Sequence, residues 1–199
     1  MRARMMFPVP DQIKGSARTG RALPPLAAED HACGDCALFY PQITPDHALK
    51  VIRGIPAAVR DSVISIPAEL RRQQPAPTVW SVTEYVCHLR DVYVTYAVRL
   101  YRTRTEDRPA LEPMLNDLRA ARFRYNELGV GAVLDELAVT AAGFCDETTH
   151  TRSGDWDRLA IRLPGEARTA RWLVRQAMHE GVHHLNDIRR VGEAVTGTH

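Results

Sequence analysis

Residues 170–190, ARWLVRQAMHEGVHHLNDIRR, contain no proline, and Leu173, Val174, Ala177, Val182, Leu185 and Ile188, with Val191 just beyond, recur at roughly helical spacing. This stretch constrains the fold more than any other. His179 and His183 lie four apart, so on a helix their side chains leave the same face one turn apart. Gln176, His179, His183 and Asp187 then form a polar stripe beside an apolar one. Two imidazoles one turn apart suit metal chelation, because both can reach a common point near ~2 Å without backbone strain. A soluble core has little other reason to gather polar groups along its inward face.

The same residues read as H-E-x-x-H, the zinc-protease spacing in which the acid, here Glu180, is the general base. That reading lacks support elsewhere. Only sixteen residues follow His183, and Arg189 stands where the common extension needs a histidine. A protease also needs a substrate-binding sheet, and the chain shows little strand pattern. The third ligand has to be sought upstream.

At 199 residues the chain can bury one core, and one domain is expected. A net charge of +2 gives no case for nucleic acid or an acidic membrane surface as partner. Lys14 and Lys50 are the only lysines, an arginine bias that fits codon composition better than phosphate recognition. No apolar run approaches the ~20 residues of a membrane-spanning helix. The basic start, MRARMMFPVPDQIKG, is broken by prolines before a secretory apolar core could form, so a cytoplasmic protein is expected. Four cysteines are too few for a disulfide scaffold of this length, and in the cytosol they would stay mostly reduced.

Residues 1–44 read as an irregular extension: four prolines and two glycines fall within the first thirty residues, without sustained periodicity. The extension holds HACGDC, that is His31, Cys33 and Cys36. A C-x-x-C pair can be half a zinc site, a redox dithiol or two ordinary small residues. His31 could add a third ligand, and His47, Cys87 or Cys145 a fourth.

Residues 45–199 read as the body. A helical pattern runs from 45 to about 65, with Gly54 and Pro56 expected to kink or split it. A short helical piece, 67–72, ends at Gln74-Pro75-Ala76-Pro77. The next helix is better marked: Ser81 with Glu84 three residues on is a capping box, and the body runs from Val82 to about Arg102. His88 lies in its second turn, flanked by Glu84 at i−4 and Asp91 at i+3. Segments 114–127 and 131–148 also read as helical, the second with Val133, Leu134, Leu137, Val139, Ala142 and Phe144 as its apolar face. Residues 159–163 alternate like a short extended segment.

Four long helices with modest connections make an all-α four-helix bundle the economical architecture. In such a bundle His88 can converge with His179 and His183 on a central pocket. Three nitrogens with open coordination positions would make a reactive rather than a structural metal site. His184 points about 100° away from His183 and reads as a structural or surface residue.

Trp80-Ser81-Val82-Thr83-Glu84 followed by His88-Leu89-Arg90-Asp91 resembles the start of the second helix in the DinB-like (YfiT-like) metalloprotein superfamily. His179-x-x-x-His183-His184-Leu185 with Asp187-Ile188 is similar to its last helix, and the resemblance covers roughly residues 45–192. It implies a four-helix bundle, often a homodimer, holding a divalent metal (zinc, nickel or iron) through three histidines, by position His88, His179 and His183. Some members are S-transferases using mycothiol or bacillithiol, mycothiol-dependent isomerases, or glutathione-dependent relatives. The first 44 residues are not part of the pattern. Folded onto the bundle, that arm would cover the pocket or put a cysteine near the metal.

Three functional classes share these residues. A thiol-dependent S-transferase would use the divalent metal to favour the thiolate of a low-molecular-weight thiol, whose pKa lies near ~8.5, for attack on a small electrophile. Glu84, Asp91 and Glu180 would orient the ligand imidazoles. A metal-dependent hydrolase would use bound water with Glu180 as base. A non-enzymatic metal-binding or redox-sensing protein would rely on Cys33 and Cys36. The resemblance places the first ahead.

Overall fold

A computed structural model describes residues 23–197. Its helices are α1 (Pro45–Ile64), α2 (Val82–Thr105), the short α3 (Asn116–Arg122), α4 (Val130–Thr149) and α5 (Ala170–Thr196). The four long ones form the bundle: α2 packs against α4 and α5, and α1 against α5 and α4. Helix α5 therefore lies in the angle between α1 and α2, so side chains from two of its faces meet protein.

Local chemistry explains where these helices begin. The Ser81 side chain accepts from the Glu84 backbone N–H, and the Glu84 carboxylate accepts from the Ser81 N–H at 2.8 Å. Both groups are otherwise orphaned donors of a helix start. Thr169 caps α5 by accepting from the Trp172 N–H, and Thr44 does the same for α1 through His47. Pro56 does not split α1, which runs through it. A proline ring removes only one rung of the helical ladder, and Ile52, Ile55, Val59 and Val63 keep the helix buried on either side. Residues 67–72 form turns instead of the expected helix, and 114–127 shorten to α3 plus a 3₁₀ turn at Tyr125–Glu127. Val139 and Ala142, assigned above to the apolar face of α4, are exposed, whereas Val133, Leu134, Leu137 and Phe144, with Ala141, are buried.

Gly181 sets the depth at which α5 seats. A methyl group there would collide with the Tyr93 hydroxyl of α2 and lie 3.1 Å from Cγ1 of Ile55 in α1. With glycine both neighbours close in, and the residues flanking it in α5, Glu180 above all, are drawn against α2.

The segment before α1 is laid along the bundle. Strands β1 (Ala32–Cys33) and β2 (Leu38–Phe39) pair antiparallel, Ala32 opposite Phe39 and Cys33 opposite Leu38. A second hairpin pairs β3 (Leu159–Ile161) with β4 (Ala167–Thr169) ahead of α5. The arm grips this hairpin and the start of α5. Glu29 accepts from the Thr169 N–H at 2.7 Å, Arg168 donates to the carbonyls of Leu26 and Ala27, and Trp172 Nε1 donates to the Ala28 carbonyl. Tyr40 and Ile43 are buried in the common core. Among the described residues, no helix is long and apolar enough to cross a membrane.

Candidate metal centre

Helix α5 carries two dyads side by side, Glu180 with His184 and His179 with His183, each spaced i, i+4 and rotated about 100° from the other. The seating of α5 turns the first dyad toward α2. There His88, only 2% exposed, brings its Nε2 to 3.3 Å from Glu180 Oε2, and His184 Nε2 lies 3.1 Å from the same oxygen. The His88 and His184 rings meet edge to face, with centroids 4.8 Å apart. One donor atom from each of the three lies within 4.8 Å of the others. Metal–nitrogen and metal–oxygen bonds of about 2.0–2.2 Å at tetrahedral angles put donors about 3.4 Å apart, so the three need only small adjustments to share one cation.

Two of the donors are held from behind. Gln176 Nε2 donates to Glu180 Oε1 at 2.8 Å, and Asp187 Oδ2 lies 2.8 Å from His184 Nδ1. A carboxylate behind a ligand imidazole fixes its tautomer and aims its other nitrogen. Burial pulls His88 below the ordinary histidine range, leaving it neutral. Burial opposes charge on Glu180 as well, but the hydrogen bonds from His184 and His88 outweigh it and hold the carboxyl well below its usual value. For His184 burial is again outweighed, here by Asp187 and Glu180, and its pKa is pushed up to about 9. A proton on His184 and a cation would compete for the same nitrogen. Two nitrogens and a carboxylate oxygen, converging from two helices, form a donor set that suits zinc or iron and leaves coordination positions open.

The histidine grouping differs from the one expected. His88 does not join His179 and His183: it faces the neighbouring dyad. Glu180 is not placed as a free base either, because its two oxygens are engaged by Gln176, His88 and His184. Glu84 closes the α2 capping box and accepts from Gln74, and Asp91 is tied to Arg90, Arg119 and Tyr125, so both carboxylates are engaged in holding structure. His184, set aside in the sequence reading, is the donor that was missed. The signal for it was the second i, i+4 pair, Glu180 and His184, followed by Asp187 one turn on.

The other dyad faces the arm. Cys36 Sγ lies 3.3 Å and Cys33 Sγ 3.8 Å from His183 Nδ1, and donor atoms of Cys33, Cys36, His179 and His183 all fall within 4.8 Å of one another. His31 is not among them. Its ring stacks near His179 and Tyr40, with centroids 5.3 and 5.2 Å away. Neither Cys87 nor Cys145 approaches; both are buried in the bundle, and His47 belongs to the first turn of α1.

The matching family model, described as the DinB superfamily, covers residues 53–188. The chain belongs to the DinB superfamily. No curated protein matches the sequence. Among solved structures, the chain is similar to YfiT from Bacillus subtilis, described as "a probable metal-dependent hydrolase with an unusual four-helix bundle topology". The TM-score is 0.66 at 17% identity, over 75% of this chain and 89% of that one. At that identity the likeness speaks for the fold. In this DinB-superfamily chain the matched region includes α2 and most of α5, and so His88, Glu180 and His184, while the arm with Cys33 and Cys36 lies outside it.

Proposed function

We propose that this DinB-superfamily protein is a divalent-metal-dependent enzyme whose cation is held by His88, Glu180 and His184, and that it joins a low-molecular-weight thiol to a small electrophile. The observation that carries the metal reading is the convergence of three donor atoms from α2 and α5, two of them backed by Gln176 and Asp187. When bound, a divalent cation at this position supplies a Lewis acid that favours the thiolate of a coordinated thiol at neutral pH. The protein contributes the rest. Glu180 and Asp187 keep His184 oriented, and Gln176 keeps the Glu180 carboxylate from swinging away. Loading the cation would require His184 to give up the proton that Asp187 helps stabilise. The thiol, as opposed to water, rests on the likeness of the Trp80–Asp91 and His179–Ile188 motifs to a superfamily some of whose members are thiol-dependent.

A second reading, hydrolysis, draws on the description of YfiT and needs the same three donors but no thiol. One experiment separates the two. Protein purified without a metal-affinity tag is loaded with zinc, nickel or iron(II) and assayed two ways: thiol disappearance with a reactive small electrophile, and ester or amide turnover without thiol. Metal-dependent thiol consumption that vanishes in His88→Ala supports the transferase; turnover without thiol, lost in the same variant, replaces it with the hydrolase. Full activity of either kind in His88→Ala removes the centre from the chemistry.

A further inference from the structure

We propose that Cys33, Cys36, His179 and His183 form a second cation site, a Cys₂His₂ centre selective for zinc, that clips the N-terminal arm onto α5 beside the first centre. The set draws one half from a hairpin turn and the other from a helix about 150 residues later. Four donors are the number a closed structural zinc takes, and two thiolates favour zinc over harder cations. The distances agree. Zinc–sulfur bonds of about 2.3 Å and zinc–nitrogen bonds of about 2.0–2.1 Å at tetrahedral angles place sulfur and nitrogen about 3.6 Å apart. The two sulfur-to-His183 Nδ1 distances, 3.3 and 3.8 Å, bracket that value.

An unpartnered atom points the same way. His179 Nε2 is buried and has no hydrogen-bond partner. Its protonation follows from a chain of bonds. The Glu180 carboxylate accepts only, so the Gln176 amide nitrogen must face it, leaving Gln176 Oε1 toward Tyr40. Tyr40 has one proton and donates it to that oxygen at 2.6 Å. The Tyr40 oxygen, 2.9 Å from His179 Nδ1, must then accept from Nδ1–H. His179 Nε2 is left as a bare lone pair in a buried position, a costly arrangement unless something electropositive occupies the space before it.

The arm turn presents its sulfurs in kind. Ala37 adopts a left-handed conformation (φ 52°) and its N–H returns to the Gly34 carbonyl, folding the Cys33–Cys36 loop back so that both thiols face His183. Behind His183, Asp187 Oδ2 lies 3.8 Å from Nε2. Asp187 thus stands behind one histidine of each site, and the Tyr40–Gln176 pair connects His179 of one to Glu180 of the other. The two sites share their supporting groups, so occupancy of one changes the affinity of the other, and the coupling is reciprocal.

The test is a metal count combined with thiol protection on the full chain. Zinc-loaded wild type carries two ions per chain. Cys33→Ser/Cys36→Ser keeps one, and His88→Ala keeps the other, so failure of this site and failure of the first centre give different patterns. Cobalt(II) in place of zinc gives thiolate charge-transfer absorption in wild type and His88→Ala but not in the double serine variant. Without any variant, zinc slows alkylation of Cys33 and Cys36 at least tenfold relative to chelator-treated protein, read peptide by peptide. A single ion whose stoichiometry the double serine variant leaves unchanged, alkylation indifferent to zinc, or loss of all metal from the double serine variant each overturns the proposal.

Discussion

The two donor clusters of α5 differ in how they are built. The cluster of His88, Glu180 and His184 is made by two long helices locked in the bundle, with His88 buried and the other two donors backed by Gln176 and Asp187. Cys33, Cys36, His179 and His183 are assembled by a two-residue-strand hairpin pressed onto the same helix, with its cysteines half-buried. The first has three donors of mixed nitrogen and oxygen character and leaves room for a reactant; the second has four, two of them sulfur, and leaves none. One helix, by repeating an i, i+4 pair at adjacent positions, therefore serves one open site and one closed site. A rigid scaffold suits the open one, where positions must hold without all coordination bonds made. The closed site can be built from a short hairpin, because the ion itself supplies fixing energy.

The largest expected effect breaks the comparison cleanly. His88→Ala should abolish the bundle ion and the activity that depends on it while leaving the arm ion in place, measured as metal content and circular dichroism of the same sample. Loss of both ions with an intact helical spectrum would show that the clusters are a single site.

Next comes pH. In chelator-treated protein, His184 has its pKa raised to about 9 by Asp187 and Glu180 against the opposing effect of burial. Its stabilising contribution is fully present below the unfolded-state value of about 6.5 and is lost as pH rises through about 9, a change of up to about 3 kcal/mol. His179 behaves oppositely. Burial lowers it to about 4, so stability falls as pH drops from about 6.5 toward 4, where the unfolded chain takes up a proton that the folded one refuses. The metal-free protein should therefore be most stable near pH 6.5, by urea unfolding at a series of pH values. Zinc removes the alkaline limb, since a cation needs His184 neutral. A metal-free profile that is flat from 6.5 to 9 would remove the proposed proton from His184.

How much of this was legible in the sequence depends on the range of the interaction. Helix periodicity, the Ser81–Glu84 capping box and the Leu173–Val191 apolar stripe are local, and the four long helices and the bundle follow from them. His88 was visible because the histidine pair on the last helix called for a third donor and the Trp80–Asp91 motif resembled the family's second helix. Its partners were not visible. Positions 179/183 and 180/184 satisfy the same spacing, and only the seating of Gly181 against Tyr93 and Ile55 decides which pair faces α2. That is a contact between three helices, and no one of them announces it. The docking of Cys33 and Cys36 is further out of reach, since it depends on Glu29, Arg168 and Trp172 holding the arm across a gap of about 140 residues.

Asp187→Asn should weaken both sites, because the carboxylate stands behind His184 at 2.8 Å and His183 at 3.8 Å. Removing a supporting carboxylate typically costs about 10–100-fold in metal affinity. The closer contact predicts the greater loss at the bundle site, by competition with a chromophoric chelator. Equal losses would mean that Asp187 acts through general charge, not through aim.

Tyr40→Phe makes the smallest change, one buried hydroxyl, and sharpens the comparison most. Without it, Gln176 Oε1 loses its donor and His179 Nδ1 its acceptor, while Gln176 can still donate to Glu180. The His179 proton is then free to sit on Nε2, where it competes with a cation. Affinity at the arm site should fall about tenfold, the lower end of the range for supporting groups, with a smaller change at the bundle site. Two buried polar atoms left unpaired should also lower stability by about 1–3 kcal/mol in the metal-free protein. Equal weakening of both sites would mean that the Tyr40–Gln176 chain transmits fully in both directions. An unchanged arm-site affinity would mean that the hydroxyl does not set the tautomer of His179, and that the bare nitrogen facing the cysteines has another cause.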